Sequence, residues 1–160
     1  MEEWTNFNVA VAGASAALVG LLIVAISVGV SEILATKTLP SRALATIISL
    51  GVVLVTSIVR LAPGQSAFTV GAVILASTLI AMIVHSVSVQ RMFTQVPKRP
   101  LHESLWKATA GYVQLVPLAV GGALLMASVG ASSEWIFAGV VFVFAFSIMN
   151  AWVLLIEIRR

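Results

Sequence analysis

Five long apolar segments, separated by short polar connectors, dominate the hydrophobic pattern of the chain. Each has about 20 residues or more, which is enough for a helix to cross a hydrocarbon layer about 30 Å thick. Lipid offers the backbone no hydrogen-bond partner, so segments that cross it are helical. The pattern therefore predicts an all-α polytopic membrane protein, a single domain (1–160) built as a bundle of five transmembrane helices. The predicted spans are 8–30, 43–62, 67–89, 108–129 and 135–156.

The basic residues predict how these spans are oriented. Eight of the nine Lys and Arg lie in the first connector, in the third connector and at the end of the sequence, which five crossings place on one side. Only Arg60 lies on the other side, where we expect it to extend to the outer lipid headgroups. Because cytoplasmic loops carry the excess of Lys and Arg, we expect the N-terminus outside and the C-terminus in the cytoplasm. A four-span alternative, which fuses the second and third spans into a hairpin that does not cross, would put Arg159 and Arg160 on the poorly charged side.

Composition favours lipid over water and excludes several kinds of chemistry. The chain is 60% hydrophobic and 9% charged, whereas soluble domains are about 25% charged. It has neither cysteine nor aspartate, and His102 and Glu103 are adjacent, which fits no metal-ligand spacing. We therefore expect a protein that is not an enzyme and that holds no metal and no cofactor. Its thinly spread net charge of +3 favours membrane lipids as partners and no nucleic acid.

Small side chains recur at heptad spacing along the first span. In lipid, helices associate by close van der Waals contact, which small residues allow. We therefore expect this span to lie tightly along another helix, either of the same chain or of another integral membrane protein. Larger side chains on its other faces, such as Leu18 and Leu22, would then face lipid. The heptad positions are Ala10, Gly13, Ala17, Gly20, Val24, Ser27 and Ser31.

A second packing surface is predicted in the fourth span, at Gly121 and Gly122. Pro117 lies one turn before this pair, and it removes a backbone hydrogen bond and bends the helix. Two interpretations remain open: a kink packed within the bundle, or a hinge or groove at which a partner docks.

Polar side chains from all five spans fall at a similar depth on the cytoplasmic side of the midplane. Because polar groups in lipid are costly unless they are paired, we expect them to face inward. They could hydrogen-bond to one another and hold the bundle together, or they could line a cavity in which His85 titrates. No intramembrane carboxylate accompanies His85, which weakens the second interpretation. The predicted polar layer comprises Ser49, His85, Gln114 and Asn150, with Ser27 at the same level.

The predicted cytoplasmic loop, 90–107, is the largest segment outside the spans. Two prolines keep its middle extended, and a short interfacial helix is predicted to begin at Leu101. The loop could rest on anionic lipid, or it could dock a partner through Lys98, Arg99 and Trp106.

Three phrases in the first part of the chain carry a resemblance. They are GASAALVGLLIVAIS at 13–27, LPSRA at 39–43 and LAPGQS at 61–66. Together they resemble a group of small multi-span proteins of actinobacterial type, over roughly the first 66 residues. The resemblance implies a bacterial inner membrane and brings neither an activity nor catalytic residues.

These patterns favour a non-enzymatic accessory subunit. Such a subunit would pack against a larger inner-membrane complex and stabilise or regulate it, and machinery for lipid or solute transport is a natural host. One alternative is a small self-assembling channel or carrier lined by His85, Gln114 and Asn150. Another is a membrane-bound regulator that acts through the 90–107 loop.

Overall fold

The computed structural model describes residues 2–35, 39–95 and 101–158, except for the side chains at 32, 34, 91–95, 101–108, 110, 154, 155, 157 and 158. Within these ranges the chain forms five long helices and one short helix, so the predicted all-α class is confirmed. The helices are α1 (Glu2–Val28), α2 (Val30–Ala35), α3 (Leu39–Leu61), α4 (Ala67–Gln95), α5 (Leu101–Met126) and α6 (Ser132–Ile158).

Four helices in the described ranges are long and apolar enough to cross a membrane, namely α1, α3, α4 and α6. The apolar part of α5 that is described, Gly111–Met126, is shorter than these. The second and third predicted spans are two separate helices of crossing length, α3 and α4. The four-span alternative, in which these two helices form a hairpin that does not cross, stays a prediction.

The helices form a bundle in which α3, α4, α5 and α6 enclose the core and α1 lies on the outside. Each helix of the group of four packs against the next, and α3 closes the ring by packing against α6. α1 packs against α3, and the short α2 follows it along the same helix. The core is filled by fully buried aliphatic side chains: Leu50, Val53, Ile74, Leu115, Leu118 and Val143.

The corner between α3 and α4 is built by local turn chemistry. Pro63 and Gly64 form the turn, and Gly64 has a φ of +73°, which a residue without a Cβ adopts at little cost. Ser66 then caps α4, because its Oγ accepts a hydrogen bond from the Thr69 N–H at 3.1 Å. The two helices therefore run antiparallel with a short connection.

The end of α5 shows the two hydrogen bonds of a Schellman motif. The Val129 N–H donates to the Leu124 carbonyl at 2.9 Å, and the Ser128 N–H donates to the Leu125 carbonyl at 3.1 Å. Ser128 has a φ of +57°. This left-handed position is usually filled by glycine, and here it is filled by serine.

The connection between α4 and α5 is shorter than the predicted 90–107 loop. α4 continues to Gln95 and α5 begins at Leu101, so the segment predicted as a separate interfacial helix is the first part of α5. The prediction was wrong because a run of polar residues does not by itself end a helix. Lys98 and Arg99 lie outside the described residues, as does the side chain of Trp106, so docking through this loop stays a prediction.

Candidate functional site

α1 contacts the bundle with one face and turns its small residues away from it. Its buried residues are Asn8, Val11, Ser15 and Leu22, whose spacing puts them on one side of the helix. The small-residue face starts at Ala10, two residues after Asn8. At 3.6 residues per turn, two residues correspond to a rotation of about 200°, so the two faces are nearly opposite.

The structure leaves this small-residue face uncovered by the described chain. All of its heptad positions are exposed, and a Cβ added at Gly13 or Gly20 would meet nothing within 4 Å. Larger side chains of α1 pack against the core instead. They include Leu18 and Leu22, which were predicted to face lipid. The prediction that this face packs against another helix of the same chain is therefore wrong for Ala10, Gly13, Ala17, Gly20 and Ser27. Its contact with another protein stays a prediction.

The glycine pair of α5 lies inside the bundle. A Cβ at Gly121 would come within 2.6 Å of Ile136 Cγ1 in α6, and one at Gly122 would lie 3.1 Å from the Gly71 carbonyl oxygen in α4. Both glycines are buried, so they allow α5 to approach its two neighbours closely. The hypothesis of a partner groove on this face is wrong, because α4 and α6 already occupy it.

Only some residues of the predicted polar layer face the inside of the bundle. Ser49 and Gln114 are buried, whereas His85 and Asn150 are half-buried. Ser27 is exposed, and its hydroxyl donates to the Ile23 carbonyl of its own helix at 2.8 Å. Gln114 Oε1 has no hydrogen-bond partner among the described residues, so this atom does not pair with the other layer residues. Depth alone did not predict contact, because the rotation of each helix decides what its side chains meet.

His85 belongs to a different cluster, between α4 and α5. Its ring packs edge-on against Tyr112, with the ring centroids 5.0 Å apart. It also lies so close to Gly111 that a Cβ there would overlap the imidazole. The Ser86 hydroxyl donates to the Met82 carbonyl at 2.8 Å, so its single hydrogen is used and the Tyr112 hydroxyl donates to Ser86 Oγ at 2.7 Å. In the sequence, Gly111 could have indicated this cluster, because glycine leaves room for the His85 ring of the neighbouring helix.

Several buried polar atoms have no hydrogen-bond partner among the described residues. Elsewhere in the bundle a hydroxyl bonds to its own helix, as Thr78 does to the Ile74 carbonyl at 2.7 Å. Burying such a group without a partner costs about 1–3 kcal/mol. The unpartnered atoms are Ser15 Oγ, Thr56 Oγ1, Ser57 Oγ, Gln114 Oε1 and Ser147 Oγ.

Arg60 joins three helices at one end of the bundle, where α1 and α6 begin and α3 ends. Its Nη2 donates to Ser133 Oγ at 3.3 Å, and its guanidinium carbon lies 5.6 Å from the centroid of the Trp4 ring. Phe7 packs against Phe137 at the same end, with ring centroids 5.5 Å apart. Arg60 therefore lies half-buried over this end of the bundle, and its contact with the outer lipid headgroups stays a prediction.

The chain matches no protein-family model, no curated protein and no solved structure. The resemblance to small membrane proteins of actinobacterial type therefore stays a prediction. Within the described residues, no three His, Cys, Asp or Glu side chains come together as a metal site requires. The candidate sites are the small-residue face of α1, the polar atoms inside the bundle and the Arg60 end.

Proposed function

We propose that this chain is a non-enzymatic membrane subunit that binds a larger membrane complex through the small-residue face of α1. In that role it stabilises or regulates the complex. The observation that supports the proposal is the exposure of this face along the length of α1, opposite the face that packs on α3. A partner helix could approach it closely, and close approach is what drives association between helices in lipid.

The two glycines of the face strengthen the argument. Glycine in a helix costs up to about 1 kcal/mol relative to alanine. Neither Gly13 nor Gly20 is required by the fold of this chain, since a Cβ at either position would meet nothing within 4 Å. Close packing against a helix of another protein would explain why glycine is present at both positions.

The proposed topology has five crossings, with the N-terminus outside and the C-terminus in the cytoplasm of a bacterial inner membrane. α5 would be the fifth crossing: it has 26 residues, and at 1.5 Å per residue it is about 39 Å long. The charge pattern supports this orientation, because Arg60 would be the one basic residue on the outer side. Trp4 and Trp135, both partly exposed, lie near that end, as interfacial tryptophans do.

The channel or carrier alternative has weaker support. Gln114 Oε1 and Ser147 Oγ are buried without partners, as polar atoms along a pathway could be. However, Leu50, Ile74 and Leu115 are fully buried in the interior of the same bundle. Aliphatic side chains packed in this way fill the space that a pathway through the bundle requires.

Leucine substitutions on the small-residue face test the proposal. Gly13→Leu and Gly20→Leu add bulk where the chain itself offers no obstacle, so the bundle should keep its helix content and melting temperature. A partner helix would be pushed away, and we expect roughly a tenfold loss of copurifying membrane subunits in gentle detergent. Ala14→Leu is the matched control, because Ala14 is exposed on the flank of α1, and it should retain the partners. A native protein that runs alone, or partners retained by both glycine variants, would contradict the proposal.

A further inference from the structure

The Arg60 side chain is a half-buried cation without a counter-charge. A guanidinium has five N–H donors, and the hydrogen bond to Ser133 uses only one. Among the described residues, no carboxylate is close enough to form an ion pair with it. Glu3 and Glu134, the acidic residues nearest in sequence to its two contacts, are both exposed. Partial burial of an unpaired charge is costly, so an anion would stabilise this arrangement.

The surroundings of Arg60 add further positive potential. Ser133 lies in the first turn of α6, where backbone N–H groups lack partners within the helix and the helix dipole is positive. A cation held against a helix N-terminus is repelled by it, unless an anion lies between them. The contact between Arg60 and Ser133 therefore brings a cation to a helix N-terminus, in a turn that also carries the exposed Glu134.

Two buried hydroxyls without partners lie about one turn before Arg60 in α3. Thr56 and Ser57 precede Arg60 by four and three residues, which places them on the same side of α3. Both residues are fully buried, and neither Thr56 Oγ1 nor Ser57 Oγ has a hydrogen-bond partner. Because both side chains are fully enclosed by the bundle, they belong to its interior rather than to the surface at which Arg60 lies.

We propose that Arg60, Ser133 and the first turn of α6 form a binding site for a phosphate group. The planar guanidinium can stack its face on Trp4 while the N–H groups at its edge bind phosphate oxygens in a fork. Because this end of the bundle lies where a spanning helix ends, the phosphate is either that of a lipid headgroup or a free phosphate ion. The site requires only a lipid environment and is independent of any partner of α1.

Quenching of Trp4 fluorescence by brominated lipids tests this site directly. The full chain carries Trp106→Phe, Trp135→Phe and Trp152→Phe, so that Trp4 is its remaining tryptophan. This protein is placed in maltoside micelles, which contain no phosphate. The probes are phosphatidylglycerol and diacylglycerol with the same brominated acyl chains. We expect the phosphatidylglycerol to quench Trp4 at a roughly tenfold lower mole fraction, since a charge-assisted hydrogen bond holds it beside the ring.

Substitutions test whether the preference for phosphatidylglycerol over diacylglycerol depends on Arg60. Arg60→Gln should abolish it, and Arg60→Lys, which keeps the charge and loses the fork, should retain only part of it. Arg42→Gln, near the opposite end of α3, should leave it intact. If inorganic phosphate shifts the Trp4 emission in an Arg60-dependent way while the two lipids quench equally, the site binds free phosphate rather than a headgroup. The proposal is overturned if wild type responds to neither probe, or if Arg60→Gln keeps the full preference.

Discussion

Glycines in this chain have two different roles, and their surroundings distinguish them. A Cβ at Gly13 or Gly20 would have free space, whereas one at Gly71 or Gly139 would meet the backbone of a neighbouring helix within 2.8 Å. The open glycines define the exposed face of α1, and the crowded ones let α4, α5 and α6 pack closely. From the sequence alone all four are simply small residues in apolar helices.

Gly71→Ala should destabilise the bundle. The added methyl group would lie 2.6 Å from the Gly122 carbonyl oxygen and 2.8 Å from the Met126 nitrogen, and backbone atoms cannot move aside without separating the helices. We expect the free energy of unfolding in micelles to fall by about 1–3 kcal/mol. Gly51→Ala is the control, because a methyl group there meets nothing within 4 Å, and the free energy should stay level or rise by up to about 1 kcal/mol. Equal effects of the two substitutions would contradict this account of the α4–α5 contact.

At the scale of the element, helix ends follow local chemistry and helix faces do not. The Pro63-Gly64 turn and the Ser66 cap lie where their residue types predict them. The apolar periodicity of α1 also predicts two stripes, but it does not say which one meets α3. Hydrophobic residues surround most of this helix, so no polar side identifies its outer face.

Ser128→Gly should stabilise the connection between α5 and α6. Ser128 occupies a left-handed conformation, with a φ of +57°, that glycine adopts without a Cβ penalty. We expect the free energy of unfolding to rise by about 0.5–1 kcal/mol, measured by denaturant titration in micelles. Gly64→Ala makes the reverse change at a φ of +73° and should lower it. If both substitutions shift stability in the same direction, backbone conformation is not the cause.

At the scale of the whole molecule, the proposed topology makes a direct prediction about accessibility. Asn6, Gln65 and Gly130 are exposed, and each lies at or beside the Arg60 end of the bundle. Since the chain has no cysteine, a single Cys at each of these positions reports on its own location. We expect a membrane-impermeant maleimide to label all three in intact cells, and Arg160→Cys only after lysis. Labelling of both Asn6→Cys and Arg160→Cys from outside would imply an even number of crossings and would contradict the model of five.

The polar side chains show why the candidate sites were harder to predict than the class of fold. Ser49 and Gln114 are buried as predicted, because polar groups in a lipid-embedded helix turn inward. His85 instead meets Gly111 and Tyr112 on the neighbouring helix. This contact depends on the packing of α4 against α5, which is a long-range property that depth along one helix does not give.

What the amino-acid sequence determined by itself is the helical class, with helices long and apolar enough to cross a membrane, and the turn at Pro63-Gly64. Both follow from local physics: a backbone in lipid satisfies its hydrogen bonds within its own segment, and proline, glycine and serine act on the residues beside them. Only the tertiary structure decided which face of each helix is covered. The energy of rotating a nearly uniform apolar helix about its axis depends on the side chains that it meets, so the exposed face of α1 and the unpaired charge of Arg60 emerge only when the bundle is assembled.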